Sequence, residues 1–482
     1  MFEDNSSVRS VAIVGAGFSG SAVAIHLLRR ATAALRIVLI ERRPPFGGGV
    51  AYGTKSPDHL LNVPADSMGL WPAEPDHFVR WLREHREVEG VPEEFDPRGF
   101  LPRRLYGAYL AAQLNEAEAD RASAVDFARV EGEVIDIEER TGGGGVLLLQ
   151  DGRRIEADQV VLALGNLPGP YPIPRPLPVY RSNRYVHVPW RADALGGIGP
   201  DDPVLLVGQG LTAADLIVEL DRRGHRGVIH ALSRRGIRPQ VHREAGPYPS
   251  FIERPALPVT ARELLGRVRR EVRAAGARGI DWRAVVDSVR PHAQAIWQGF
   301  SEEERSRFLR YVAPVWEGHR HRIAPELAGV LQQLEAEGRL QYHAGRLQTL
   351  EVEPDAVGVV FRRRGTNQHV ALRVAKVINC TGPRTDYSKY QHPLFIHLLA
   401  RGLIDHDPLA LGINARPTGE VLRYRGPEVG WLFTLGAPLK GVRWETTAVR
   451  EIREQAEALA GRLLAALPAA AASAPTTARP WE

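Results

Sequence analysis

Cysteine is nearly absent. Cys380 stands alone in 482 residues, which excludes an internal disulfide, a thiolate metal cage and a dithiol pair, and with them disulfide-reductase chemistry. Lysine is almost as scarce: Lys55, Lys376, Lys389 and Lys440 are the only four, so there are few candidates for a Schiff base. No apolar run approaches the roughly 18 residues that a membrane helix requires, and Met1 to Ser10 lacks the apolar centre of a leader peptide. The expectation is a soluble, cytoplasmic chain with no membrane partner. Charge of one sign is missing too. Subtracting 57 acidic from 62 basic residues leaves +5, too small an excess over this length to point to nucleic acid. What is present, 44% hydrophobic and 25% charged residues, is ordinary for a globular protein, and the length suggests two to four domains.

The chemistry lies in glycine. Val11 to Val14 is a short apolar strand that runs into Gly15-Ala16-Gly17-Phe18-Ser19-Gly20, and Ser21 to Arg30 continues with helical periodicity. Gly15 makes the tight turn, Gly17 lets backbone N–H groups approach a pyrophosphate at the helix N-terminus, and Gly20 permits close packing of helix on strand. A second apolar run, Ile37 to Ile40, ends at Glu41, 21 residues beyond Gly20, where a carboxylate can accept hydrogen bonds from ribose hydroxyls. The pattern recurs: Asp202 to Val207 enters Gly208-Gln209-Gly210-Leu211-Thr212-Ala213, then a helical stretch from Ala214 to Arg223.

The two units differ at one telling position. The strand Val228 to Leu232 ends at Ser233-Arg234-Arg235, and Arg234 occupies the place that Glu41 has in the first unit. A carboxylate repels a 2′-phosphate, whereas a guanidinium binds it in bidentate fashion, so the second unit should prefer NADPH to NADH. Solvated arginines at a strand end are the alternative. Two unlike nucleotides in one chain point to FAD and NADPH.

Two further apolar strands, Asp158 to Asn166 with Gly165 and Lys376 to Pro383, follow meander-like runs, Val134 to Gln150 and Leu347 to Arg362. The expected fold class is α/β, with two Rossmann-like dinucleotide domains and a helical substrate-proximal insertion. A discontinuous FAD domain is expected over residues 1–190 and 341–465, an NADPH domain over 191–340, and a disordered tail over 466–482. Both meanders and their return strands would then flank the insert. Cys380, beside one return strand, reads as a packed small hydrophobe.

The segments Glu41-Arg42-Arg43, Phe46 to Gly53, His59-Leu60-Leu61-Asn62-Val63-Pro64, Arg103-Arg104-Leu105-Tyr106-Gly107, Trp316 to Arg322 and Thr434 to Val449 resemble a bacterial family of FAD/NAD(P)-binding proteins related to the flavin-dependent N-hydroxylating monooxygenases. Some members are similar to amino-acid N-monooxygenases that convert aspartate to nitrosuccinate. The similarity covers about residues 8 to 460. It implies that Arg42, Gly49 and Leu61-Asn62-Val63 lie along the flavin nucleotide, that Val134 contacts adenine, and that Gly436 with Trp444, Thr446 and Thr447 closes over the isoalloxazine at a helix start. That helix N-terminus would stabilise the reduced flavin's anion. Residues Tyr180 to Trp190 loosely resemble the linker of class B flavin monooxygenases, without its glycine, and His187 reads as a hinge residue.

His319, Arg320 and Arg322, with Arg243 as a weaker candidate, could clamp a carboxylate-bearing substrate; a structural network with Glu317 is the competing reading, and no metal is expected. The implied reaction is O₂ activation as a hydroperoxide at flavin C4a and oxygenation of an uncharged small amine or amino acid, an acidic one such as aspartate included. An NADPH-dependent oxidase or reductase and a non-catalytic flavin protein are the alternatives. No catalytic side chain is singled out, and a homo-oligomer is neither required nor excluded.

Overall fold

The computed structural model describes residues 8–253 and 256–466; the expected tail at 466–482 lies, apart from its first residue, outside them. The first unit opens as β1 (Arg9–Val14), α1 (Phe18–Arg30) and β2 (Leu35–Glu41), followed by α2 (Gly49–Tyr52), α3 (His77–Glu84), α4 (Arg103–Ala119) and β3 (Val125–Glu131). An antiparallel meander of β4 (Val134–Glu139), β5 (Gly145–Leu149) and β6 (Arg154–Ala157) leads to β7 (Gln159–Leu162). The second unit is β8 (Tyr185–Val186), β9 (Val204–Val207), α5 (Leu211–Arg222) and β10 (Ile229–Ser233).

A helical insertion follows: α6 (Ala261–Gly276), α7 (Trp282–Val289), α8 (Ala293–Gly299), α9 (Glu302–Arg307) and α10 (Ala313–Arg320). The chain then makes α11 (Pro325–Ala336), β11 (Leu340–Val352), β12 (Val357–Arg363), β13 (His369–Val374) and β14 (Lys376–Asn379), and closes with α12 (Pro393–Ala400), β15 (Glu420–Leu422), β16 (Glu428–Thr434) and α13 (Val449–Ala465).

Two main sheets result. The first has the order β15-β16-β7-β1-β2-β3 and the second β13-β12-β11-β10-β9-β14-β8. β1, β9 and β14 are buried at nearly every position, because each is covered on both faces, by helices on one side and by strands of the unit's meander on the other. Helices α1, α4 and α13 pack together over the first sheet, and α5 packs with α11 beside the second. The insertion has a core of its own around Trp297, Phe308, Trp316 and Trp444.

The fold class is as the glycine turns imply, but the domain boundary at 340/341 is not. β11 pairs in parallel with β10, and β14 pairs in parallel with β9, so residues 340–379 belong to the second unit. The first unit resumes with α12, which packs on β4. Each unit therefore owns one meander and one return strand. Leu347 to Arg362 and Lys376 to Pro383 extend the second sheet, whereas in the first unit only the return strand β7 joins the main sheet and β4 to β6 form a small sheet of their own.

Candidate cofactor and substrate site

The first glycine turn is built by backbone contact. Gly15 has φ of +102°, its N–H donates to the Ile40 carbonyl at 2.8 Å, and a Cβ there would lie 2.4 Å from the carbonyl oxygen of Ala163, just beyond β7. A Cβ on Gly20 would lie 1.9 Å from the Gly15 carbonyl oxygen. Glu41 folds back across this turn: Oε2 accepts from the Ala16 N–H at 2.8 Å and Oε1 from the Arg43 N–H at 3.0 Å. Each oxygen keeps lone-pair capacity for a further donor. Gly17 is the N-cap of α1, and no side chain caps that end, so its first N–H groups are free for an anion.

Other glycines converge on this point. Gly49, at φ +53°, faces Gly17 so closely that a Cβ would sit 2.8 Å from the Gly17 Cα, and a Cβ on Gly436, at φ +73°, would sit 2.9 Å from Ser19 Oγ. Gly165, at φ +59°, has open space where a side chain would be. A cradle emptied of side chains around a bare helix N-terminus fits a dinucleotide pyrophosphate.

The remaining expected contacts are distributed around it. Phe18 is buried against Tyr52 and Tyr106, so only its backbone faces the turn's surroundings. Leu61 is buried, Val63 is half-buried and Asn62 is exposed. Arg42 reaches Glu133 at 3.2 Å, and Val134 is buried at the start of β4.

At the C-terminal side the helix start lies later than expected. α13 begins at Val449 with Ala448 as N-cap and no side-chain cap. Thr446 does not cap; its hydroxyl donates to the Gly436 carbonyl at 3.2 Å and accepts from Gln455 Nε2 at 2.8 Å, while Gln455 Oε1 accepts the Gly436 N–H at 3.0 Å. Gln455, not singled out in the sequence, thus ties Gly436 to Thr446. Thr447 is exposed. The ring of Trp444 turns into the insertion and stacks on Trp297 with centroids 4.8 Å apart.

The second turn repeats the first. Gly208, at φ +138°, donates to the Leu232 carbonyl at 2.8 Å, and a Cβ there would lie 2.1 Å from the Cys380 carbonyl oxygen at the end of β14. Gly210 is the N-cap of α5, again with no side-chain cap, and Ala213 is buried behind it. Cys380 is buried, and burial pushes its thiol well up, which suits packing rather than nucleophilic work.

Ser233 is structural: its hydroxyl donates to Gln209 Oε1 at 2.8 Å and accepts the Gly236 N–H at 3.0 Å. Gln209 Nε2 in turn donates to the Ala231 and His343 carbonyls. Arg234 is exposed, and neither it, Arg235 nor Arg364 pairs with a carboxylate among the described residues. Arg235 Nη2 donates to the Arg310 carbonyl at 2.7 Å, and Arg364 Nη1 to the Arg235 carbonyl at 2.6 Å. Three guanidinium groups without an acid are gathered at the strand end.

The proposed carboxylate clamp is arranged otherwise. Arg322 is buried and forms a bidentate pair with Asp287, both bonds 2.9 Å. Arg320 Nε meets Glu445 Oε2 at 3.3 Å, and Trp316 Nε1 donates to Glu445 Oε1 at 2.8 Å. His319 Nδ1 bonds the Val315 carbonyl at 2.8 Å, and His321 pairs with Glu317 at 2.5 Å. Burial raises the Glu317 carboxyl, but the His321 bond and charge hold it below its usual value. The cluster is an internal network whose acids, Asp287 and Glu445, come from elsewhere in the chain. Arg243 is exposed. No group of three or more potential metal ligands occurs among the described residues, and none of their helices is long and apolar enough to cross a membrane.

Fold and turns define a two-dinucleotide α/β protein of the flavin and nicotinamide type. A family model described as FAD-NAD(P)-binding matches residues 12–167. The structure is similar over its length to an ornithine N-hydroxylase from Kutzneria sp. 744 with reduced FAD, NADP⁺ and L-ornithine, at TM-score 0.64 and 17% identity, covering 95% of this chain and 99% of that one. The reduced ornithine hydroxylase from Pseudomonas aeruginosa matches with the same four values. An L-lysine 6-monooxygenase from Pseudomonas syringae matches at TM-score 0.62 and 15% identity, covering 94% and 98%. At these identities the likeness is one of fold. No curated protein sequence matches the chain.

Proposed function

We propose that this chain is a FAD- and NADPH-dependent monooxygenase that N-hydroxylates a small amine or amino acid. One observation carries the reading: two glycine turns of the same construction, one answered by Glu41 and the other by unpaired arginines, in a fold similar throughout to amine N-hydroxylases. When bound, FAD reduced by NADPH supplies the electrons that divide O₂, one atom going to the amine nitrogen and the other leaving as water. The chain's residues bind and enclose. The bare N-termini of α1 and α5 receive pyrophosphates, Glu41 accepts ribose hydroxyls, and Arg234 with its neighbours takes the 2′-phosphate. The insertion packs Trp297 and Phe308 on Trp444, in the segment after Gly436, and so would keep water from that side of a flavin held there.

An acidic substrate draws no support from Arg320 and Arg322, since both already hold carboxylates of the chain. The deciding experiment measures NADPH consumed and H₂O₂ released with ornithine, lysine, cadaverine and aspartate. One amine is expected to accelerate NADPH oxidation while suppressing peroxide. Peroxide equal to NADPH with every amine would instead make the chain an oxidase.

The nicotinamide assignment has its own test. Arg234→Glu is expected to weaken NADPH binding at least about tenfold, roughly 1.4 kcal/mol, and to leave NADH nearly unaffected. Equal loss for both nucleotides would remove the 2′-phosphate from this strand end.

A further inference from the structure

Two of the sequence segments quoted above meet where a nucleotide site would not need them. His59-Leu60-Leu61 and Arg103 are stitched together by backbone, the Arg103 N–H donating to the His59 carbonyl and the Leu61 N–H to the Leu101 carbonyl, both at 2.8 Å. Leu60 and Phe100 then pack against the core of the second unit. The charged side chains beside them face α5. Arg103 Nη2 lies 2.9 Å from Asp215 Oδ2, and His59 Nε2 lies 2.8 Å from Glu219 Oε2. Asp215 and Glu219 are one turn apart on a helix that is otherwise apolar on its inner side, and they are only 2% and 7% exposed.

Each partner is oriented from behind. Arg103 Nε donates to the Leu60 carbonyl at 2.8 Å, and His59 Nδ1 shares a hydrogen bond with Thr54 Oγ1 at 2.8 Å. Trp190, from the linker between the units, meets His59 edge-on at 5.4 Å and lies under the Arg103 guanidinium, also at 5.4 Å. At the rim, Arg222 meets Asp58 at 3.0 Å.

We infer that the Arg103–Asp215 and His59–Glu219 pairs, with Trp190, are positioning residues that lock the second unit in the orientation its hydride transfer requires. The inference rests on the proposed two-cofactor reading. Apolar contacts such as those of Leu60 and Phe100 tolerate sliding, whereas two buried carboxylates on successive helical turns meet Arg103 and His59 in one register only. α5 starts at the second glycine turn, so any shift of the helix carries the nicotinamide nucleotide with it. All four side chains lie between the first unit and α5, and they act through α5.

The test compares the parent with Arg103→Met/Asp215→Leu, which replaces the buried pair with apolar side chains and leaves no orphan charge. Cys380 is buried, so spin labels go to cysteines introduced at the exposed positions Ala119 and Asn367 of FAD-loaded enzyme. The parent should give a single narrow label-to-label distance, and the double variant a broadened or doubled one. In the same variant, FAD reduction at saturating NADPH should fall about 100-fold, as expected of an ångström-scale misplacement. Reduction by dithionite should persist, and NADPH affinity should change less than about threefold. A variant that holds FAD with the parent's distance and reduction rate would overturn the inference. Should the double variant fail to fold, Glu219→Gln is read in the same two ways. If NADPH never bleaches the parent's FAD, the proposed function fails, while the label distances still decide on the lock.

Discussion

Gly20→Ala is expected to yield a folded but colourless protein. A Cβ at Gly20 meets the Gly15 carbonyl oxygen at 1.9 Å and the Gly15 carbonyl carbon at 3.0 Å. Both are backbone, so no rotamer change relieves the overlap; either α1 lifts from β1 or the turn opens. Each displaces the N–H groups at Gly17 that would hold the pyrophosphate. Because nothing at the collision can turn aside, the cost is placed at about 4 kcal/mol, roughly a thousandfold in FAD affinity. The flavin content of the purified variant, and its recovery on adding FAD, checks this directly. A yellow, stoichiometrically loaded Gly20→Ala protein would show that the first turn is not the flavin site.

A comparably large effect is expected in stability against pH. His26 is buried on α1, edge-on to Trp71 at 5.0 Å, and burial together with the Arg30 and Arg29 charges lowers it to about 4. His230 on β10 faces His343, ring nitrogens 3.1 Å apart, and burial followed by that neighbour lowers it to about 4 as well. Unfolded, both titrate near 6.5. Between those values the unfolded chain binds the protons and the native chain does not, so stability is complete above pH 6.5 and is lost as pH falls toward 4. Each histidine contributes about 1.4 kcal/mol per pH unit within that window, and the two together about 2.7. Urea unfolding at pH 6.5, 6.0 and 5.5 measures the slope, and His26→Gln with His230→Gln should flatten it. A stability that stays level from pH 6.5 to 5.5 in the parent would mean that these imidazoles are protonated in the fold.

Much of the architecture is legible in local pattern. Strand, glycine turn and helix are consecutive in the chain, and Glu41 and Arg234 fall at a spacing set by one helix and one strand, so both units and their difference can be read without tertiary contacts. The assignment of the second meander cannot. Val134 to Gln150 and Leu347 to Arg362 look alike because they play the same part in two similar units, and nothing local says which sheet a strand will join. The parallel pairing of β11 with β10 decides it.

The site divides along the same line. By itself the sequence determines where dinucleotides can approach, because a missing Cβ and a helix N-terminus are properties of adjacent residues. It also shows the cations of His319 to Arg322, but not that Asp287 and Glu445 are waiting for two of them. Nor does it show that Arg103 will meet Asp215 across the interface between units. Those outcomes belong to the tertiary structure alone: a charge is available to a ligand only if folding leaves it without an acid, and its partner can come from anywhere along the chain.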